Sequence, residues 1–352
     1  MVYLDYSATY PYVKYPSSTY GPFLNPNANY AYTEKRLLSE AENRVKQAIG
    51  AKGGQVVFGG TSSQLIENLM NSINRRYTTI SSVYEHESFY RHGFNIVKDL
   101  EELKEFLPFP TYDNSTFVLW QAVQNITGEI FPVKDIGHLC HKYNAFYICD
   151  ATALLGHAAI EPNIDDWCDF LVLDGHKAGT ELGIGCCWIS DRLDKWLNGF
   201  KLHGTPNLAG ALALAQAVEE AYDIVNIKCH NKHWMALYKY LGHSLIDNQI
   251  KFETVDIGGC GTHCVAINAI RLPGFNARAL QSYFASKGTY IGLGQSSCAD
   301  EADRRILCQG YGLSEQEADE VVRISFGVDN SVEDVEALVE GIKNFKELYL
   351  CD

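Results

Sequence analysis

From about Gln55 to Ser190 short apolar runs alternate with segments of helical spacing, and that alternation restricts the chain to an α/β fold made of parallel strand–helix–strand units. The runs are Gln55 to Phe58, Thr78 to Val83, Ser115 to Trp120, Ala145 to Cys149, Phe170 to Leu173 and Gly185 to Ile189. Helical spacing fills Ser63 to Ile73 and Lys134 to Tyr143 between them. After the breaker Gly204-Thr-Pro206, a stretch rich in Ala, Leu and Glu predicts a longer helix from Leu208 to Ala221. Beyond Ile250 the composition changes. Strand-like pieces at His263 to Asn268 and Val322 to Phe326 mix with helices at Ala277 to Lys287 and Val332 to Leu348, as in a smaller α+β domain. With 352 residues the chain is long enough for both cores, and the expected division is a large domain over 14–226 and a small one from 1–13 and 227–352. Tyr10 to Pro26 holds five aromatic residues and reads as an ordered connector.

Composition excludes several classes. A net charge of −14 with no basic stripe argues against nucleic-acid binding. No apolar run approaches a membrane span, and Met1 to Asp5 lacks the features of a signal peptide, so the cytoplasm is the expected compartment. The 11 cysteines are scattered, odd in number and include the adjacent Cys186-Cys187, which fits free thiols rather than a disulfide framework. His138 with His141, and Cys229 with His230 and His233, stand at helical spacing without a second half-site, so no metal is expected.

Two polar residues close apolar runs: Asp150 after Ala145 to Cys149, and Lys177 after Asp169 to Leu173 and Asp174-Gly-His. In open α/β sheets that carboxyl edge is where ligands bind. An acid there can keep a heterocyclic nitrogen protonated, and a lysine between Gly175 and Gly179 can reach a carbonyl carbon to form a Schiff base. This is the protein's share of pyridoxal-phosphate chemistry. The bland alternative is a pair of solvated turn residues.

Laid in order, further short motifs give the chain its resemblance. They are Tyr3 to Thr9, Asn25-Pro26 before an acidic-basic helix, Glu85-His86, Asn125 to Gly128, Asp150-Ala-Thr152, Gly175-His-Lys177, Gly204-Thr-Pro206, a Gly- and Ser-containing loop ending at Cys298, and Val322 to Gly327. Nearly end to end, the chain resembles the NifS-like cysteine desulfurases within the class V aminotransferases. The resemblance implies a fold-type-I pyridoxal-phosphate-dependent transferase: a large domain with a mainly parallel seven-stranded sheet between helices, plus a smaller α+β domain, assembled as a homodimer with a shared active site.

It also implies roles. Lys177 matches the lysine that carries pyridoxal 5′-phosphate, Asp150 the partner of its ring nitrogen, and His86 the ring-stacking histidine that sits near the substrate Cα. Asn125 matches the ligand of the ring oxygen and lies near the substrate. Ser62 and Ser63, at the start of a predicted helix, suit a phosphate; His176 joins them, and Thr205 matches a residue that reaches the phosphate from the other subunit. Arg323 fits the clamp for the substrate carboxylate, because a planar guanidinium forks two hydrogen bonds onto it. Cys298 falls where the family has its sulfur-accepting cysteine.

Two positions depart from the pattern. Ala153 replaces a glutamine that hydrogen-bonds the ring oxygen. Asp174 replaces a serine or threonine that binds the phosphate, and a carboxylate beside that anion is repulsive. Either Asp174 is protonated or turned away, or phosphate is bound weakly, or the chemistry has changed. The leading expectation is a cysteine desulfurase that turns L-cysteine into L-alanine and passes sulfur, as a persulfide on Cys298, to an acceptor protein, as in iron–sulfur cluster assembly. Its rivals are a C–S lyase or aminotransferase on the same cofactor, and a catalytically impaired binding or regulatory homologue.

Overall fold

The computed structural model describes residues 1–73, 77–107, 115–161, 163–197, 200, 204–256, 262–294 and 304–349. Two compact units divide it: Tyr12–Val123 with Phe131–Asn226, and Met1–Pro11 with Gln124–Ile130 and Ile227–Asp352.

The first unit is organised by a seven-stranded sheet. Its strands run in the order Gln55–Gly59, Gly185–Ile189, Phe170–Asp174, Phe146–Asp150, Ser115–Leu119, Tyr77–Ser82 and Asn95–Val97. From Phe170–Asp174 to the Asn95–Val97 edge every pairing is parallel, whereas Gly185–Ile189 runs antiparallel to both of its neighbours. Side chains alternate across a strand, so Phe117 and Leu119, Phe146 and Ile148, and Phe170 and Val172 share one face. There they pack on Leu65, Ile66 and Leu69 of the helix Ser62–Ser72. The same alternation directs Asp150 and Asp174, last residues of their strands, to this helix-covered face.

At the opposite end of the Phe170–Asp174 strand, the 1% exposed Asp169 collects hydrogen bonds from Arg192 Nη1 at 2.7 and 2.8 Å, Tyr147 N at 2.9 Å, His141 Nε2 at 3.0 Å and Ser190 Oγ at 3.2 Å. Thus His141 is engaged in a structural contact, and among the described residues no group of three or more acids, histidines or cysteines could hold a metal.

The second unit carries a five-stranded sheet in the order Val2–Leu4, Thr289–Leu293, Val321–Ser325, Ile267–Arg271 and Glu253–Thr254. Its first pair is parallel and the others are antiparallel. The predicted strand His263 to Asn268 is corrected here. Thr262–His263 pairs instead with Glu129–Ile130, a turn closed by Ile267 N to Cys264 O follows, and the longer strand starts at Ile267. The turn forms because Cys264 N bonds Gly128 O while the His263 ring faces the carbonyls of Thr127 and Ile267. Sequence reading also missed the Thr289–Leu293 strand and the helix Ile224–Asp247. No helix among the described residues is long and apolar enough to cross a membrane.

Burial raises the Asp169 carboxyl, but the hydrogen bond from His141 and the charge of Arg192 outweigh it and hold the group below the usual range. Asp169→Ala strands those partners and should cost about 3 kcal/mol at pH 7, read from urea unfolding. A depressed folded pKa stabilises above the unfolded value of about 3.9 and loses that contribution as pH falls through the folded one, so wild type and variant should converge in acid.

Candidate active site

The carboxyl edge of the larger sheet holds the first cluster. Asp150 is buried, with Oδ1 accepting Thr152 N–H at 2.8 Å. Burial pushes its carboxyl up; the hydrogen bonding of Thr152 and then the charges of His86 and Lys177 pull it back, which brings these three predicted residues within one electrostatic neighbourhood. Lys177 closes the short 3-10 turn Gly175–Lys177 that follows Asp174. His86 caps the short helix Glu87–Tyr90: its Nδ1 accepts Ser88 N–H at 3.3 Å, so in the neutral ring the proton sits on Nε2.

Glu85, beside His86, was not singled out by sequence reading. It is fully buried, accepts Gln121 N–H on Oε1 at 2.8 Å, and is pushed far above the carboxylate range by burial and by the Asp150 charge, against the Gln121 hydrogen bond. Gln121 in turn donates Nε2–H to Tyr84 O at 2.5 Å. The signal available in the sequence was an acid adjoining an apolar run, which is too common to be specific.

The second cluster lies where the phosphate was expected. Ser62 and Ser63 open the helix Ser62–Ser72, which is capped by a reciprocal pair: Gln64 N–H on Thr61 Oγ1 at 3.3 Å and Thr61 N–H on Gln64 Oε1 at 3.2 Å. Asp174 reaches the same turn. Its Oδ2 accepts Ser62 N–H at 2.8 Å, and its Oδ1 is paired with His176 Nδ1 at 2.6 Å. Burial works against this charge, but the His176 contact and the Ser62 amide prevail and keep the Asp174 carboxyl below its usual range. Thr205 lines a cavity of about 710 Å3 together with Gly59, Gly60 and Gln64.

The third cluster belongs to the other unit. Arg323 is 2% exposed; its Nε and Nη2 meet Asp5 Oδ1 at 3.2 and 2.7 Å, and Nη1 donates to Asn125 O at 3.0 Å. Gly292 makes room for the pair, since a β-carbon there would lie 2.5 Å from Asp5 Oδ1 and 2.7 Å from Arg323 Nε. Of the five guanidinium hydrogens, these contacts leave one on each terminal nitrogen for a further acceptor. The buried Asn125 Oδ1 has no hydrogen-bond partner among the described residues. Asp5 is a second residue that sequence reading left without a role, although it stands in the opening motif. Cys298 lies outside the described residues.

A family model described as aminotransferase class-V matches residues 2–338. The chain belongs to the class-V aminotransferase family. Among curated relatives of this class-V chain, cysteine desulfurase IscS of Methanosarcina thermophila is 24% identical, over 96% of this chain and 90% of that protein. Cysteine desulfurase IscS 1 of Archaeoglobus fulgidus is 23% identical, over 97% and 95%. A NifS-like protein from Rickettsia africae has a similar structure, with a TM-score of 0.81 at 21% identity, covering 99% of this chain and 100% of that one. For the cysteine desulfurase CsdA of Escherichia coli the TM-score is 0.74 at 19% identity, covering 99% and 95%. The class-V chain therefore has the fold-type-I pyridoxal-phosphate transferase fold.

Tested against the cofactor of that fold, the residues divide. A buried carboxyl with Lys177 and His86 in its electrostatic surroundings fits a protonated pyridine ring and its aldehyde. The turn at Ser62 does not fit a phosphate, because an anion is already there.

Glu85→Gln tests the neutral state of the buried acid. An acid whose folded pKa lies above its unfolded value of about 4.3 has its full stability below that value and loses it as pH rises toward the folded pKa. Wild-type stability should therefore decline from pH 5 to 8 more steeply than that of the glutamine variant, which keeps the acceptor for Gln121 N–H. Parallel slopes in urea unfolding would show that Glu85 is ionised.

Proposed function

We propose that the protein is a cysteine desulfurase of the pyridoxal-phosphate class, converting L-cysteine to L-alanine and retaining the sulfur as an enzyme persulfide. The observation that carries this is Asp150: a buried carboxylate at a strand end, opposed by His86 and Lys177, in a chain whose relatives along its whole length bear the desulfurase name. The bound cofactor supplies an electron sink for the substrate Cα.

Each residue then has a defined task. Lys177 would hold the cofactor aldehyde through its amine and, when freed by the substrate, would take the Cα proton and give it back. Asp150 keeps a proton on the ring nitrogen, as an anion in a buried site does for a paired cation. His86 presents its ring, with Nδ1 fixed by Ser88, as the stacking and proton-relay group. Arg323, aligned by Asp5, forks its remaining hydrogens onto the substrate carboxylate. The Cys298 thiolate attacks the substrate sulfur: an S–S bond forms, the Cβ–S bond breaks, and the thiol proton is carried over to Cβ to complete alanine. The persulfide is then passed to an acceptor protein of the kind used in iron–sulfur cluster assembly. Action as a homodimer in the cytoplasm completes the proposal.

Incubation with L-cysteine, with alanine, sulfide and pyruvate measured together, tests it. Alanine should match sulfur released, and Cys298→Ser should abolish alanine while leaving cofactor absorbance unchanged. Lys177→Ala should lose the linkage fixed by borohydride, and Asp150→Asn should lower kcat by at least about a hundredfold. Pyruvate as the main product would replace this proposal with a C–S lyase. Arg323→Lys, which loses the fork, should raise KM for cysteine by about tenfold or more with the cofactor spectrum unaltered.

A further inference from the structure

Asp174 is the residue at which the site departs most from its own chemistry. The first turn of a helix offers free amide hydrogens and the positive end of the dipole, which suits a phosphate. Here the chain fills that turn itself. Thr61 N–H goes to Gln64 Oε1, Gln64 N–H to Thr61 Oγ1, and Ser62 N–H to Asp174 Oδ2, so Ser63 N–H is the amide of this turn with no side-chain acceptor among the described residues. The His176 ring faces the other Asp174 oxygen at 2.6 Å.

The strand end also packs closely on the turn. Gly185 lies opposite Asp174 in the strand pair, and a β-carbon there would fall 2.9 Å from Leu173 O and 3.0 Å from Gly60 O. Strand end and turn are therefore in direct contact, with Asp174 at 1% exposure between them. The carboxylate is neither protonated nor turned away: it accepts an amide hydrogen, which an anion does best. A phosphate entering this turn would have to displace Asp174 from Ser62 and His176, or lie against it as a like charge.

We infer that Asp174 takes the place of the cofactor's phosphate, and that the site binds the neutral 5′-hydroxymethyl aldehyde, pyridoxal, at least as well as its phosphate ester. The inference rests on the pyridoxal reading above and specifies the cofactor's form. A hydroxymethyl group can donate a hydrogen bond to the carboxylate, whereas a phosphate dianion brings two further negative charges beside a carboxylate that already holds the Ser62 amide and the His176 ring. Anchoring then falls to Lys177, Asp150 and His86 at the ring.

The test is titration of the full chain, stripped of bound aldehyde, with pyridoxal and with pyridoxal 5′-phosphate. Binding is followed by absorbance, then by borohydride reduction and the mass added at Lys177. The wild type should show a Kd for pyridoxal no higher than for the phosphate ester. Asp174→Ser should tighten the ester by about tenfold or more, as expected for removal of one like charge, and should not tighten pyridoxal, which loses its charged acceptor. Asp174→Asn, nearly isosteric, should shift the preference in the same direction if the serine variant folds poorly. Inorganic phosphate should compete in the serine variant and not in the wild type. A wild type that prefers the ester by tenfold, or a preference unmoved by both substitutions, overturns the inference and leaves the desulfurase reading standing. If neither aldehyde attaches to Lys177, the pyridoxal reading fails and the inference fails with it.

Discussion

Asp169 and Asp174 stand at the two ends of one buried strand, and the hydrogen bonds they accept fix that strand to what surrounds it. Asp169 ties its amino end to Arg192, His141 and the Tyr147 amide. Asp174 ties its carboxyl end to the first amide of the helix Ser62–Ser72 and to His176. A strand apolar on both faces could slide along its neighbours at little cost, since Val, Leu and Phe pack tolerantly. A buried carboxylate with fixed donors cannot slide, because a shift would strand the charge. Lys177, three residues past Asp174, inherits its position from that anchor.

The acids nearby are sorted by environment. Glu85 and Asp150 are both buried, and the Asp150 charge raises the cost of ionising Glu85. At Glu85 burial outweighs the hydrogen bonds of Gln121 and Ser82 and pushes the carboxyl far up. Asp150 has Thr152, His86 and Lys177 to oppose its burial, and Asp174 has His176 and Ser62. Each carboxyl thus carries charge according to its donors, and a change in one donor alters what the next acid can do.

Much of this was legible in the sequence. The α/β alternation followed from apolar periodicity, because a buried parallel strand leaves an unbroken apolar run and a turn leaves Gly and Pro, and the family, with the seven-stranded sheet its resemblance implies, followed from motifs in order. The strand Thr289–Leu293 was missed because it is five residues long and Gly292 interrupts its apolar run. His263 to Asn268 read as one strand because the apolar pattern continues through a turn that is imposed by a distant segment, Thr127 and Gly128. The partners of site residues were least legible. Asp5 and Arg323 are separated by nearly the whole chain, and the buried state of Glu85 depends on Gln121, so neither pairing leaves a local pattern.

The remaining contrast lies within one unit. At the ring end of the proposed site, Asp150 has Lys177 and His86 in its electrostatic surroundings; at the other end, Asp174 accepts the first amide of the helix Ser62–Ser72. The two ends serve separable purposes. Ring contacts act on the electron sink and so on the reaction, whereas phosphate contacts act mainly as an anchor, which is uniform binding that does not change between ground and transition states. An anchor can be exchanged for another source of affinity without altering the chemistry, provided the ring stays oriented. In the proposed site a lysine linkage, a buried counter-ion and a stacked imidazole would together constrain the ring's position, plane and protonation, so Asp174 would change how the cofactor is held and leave intact the groups that use it.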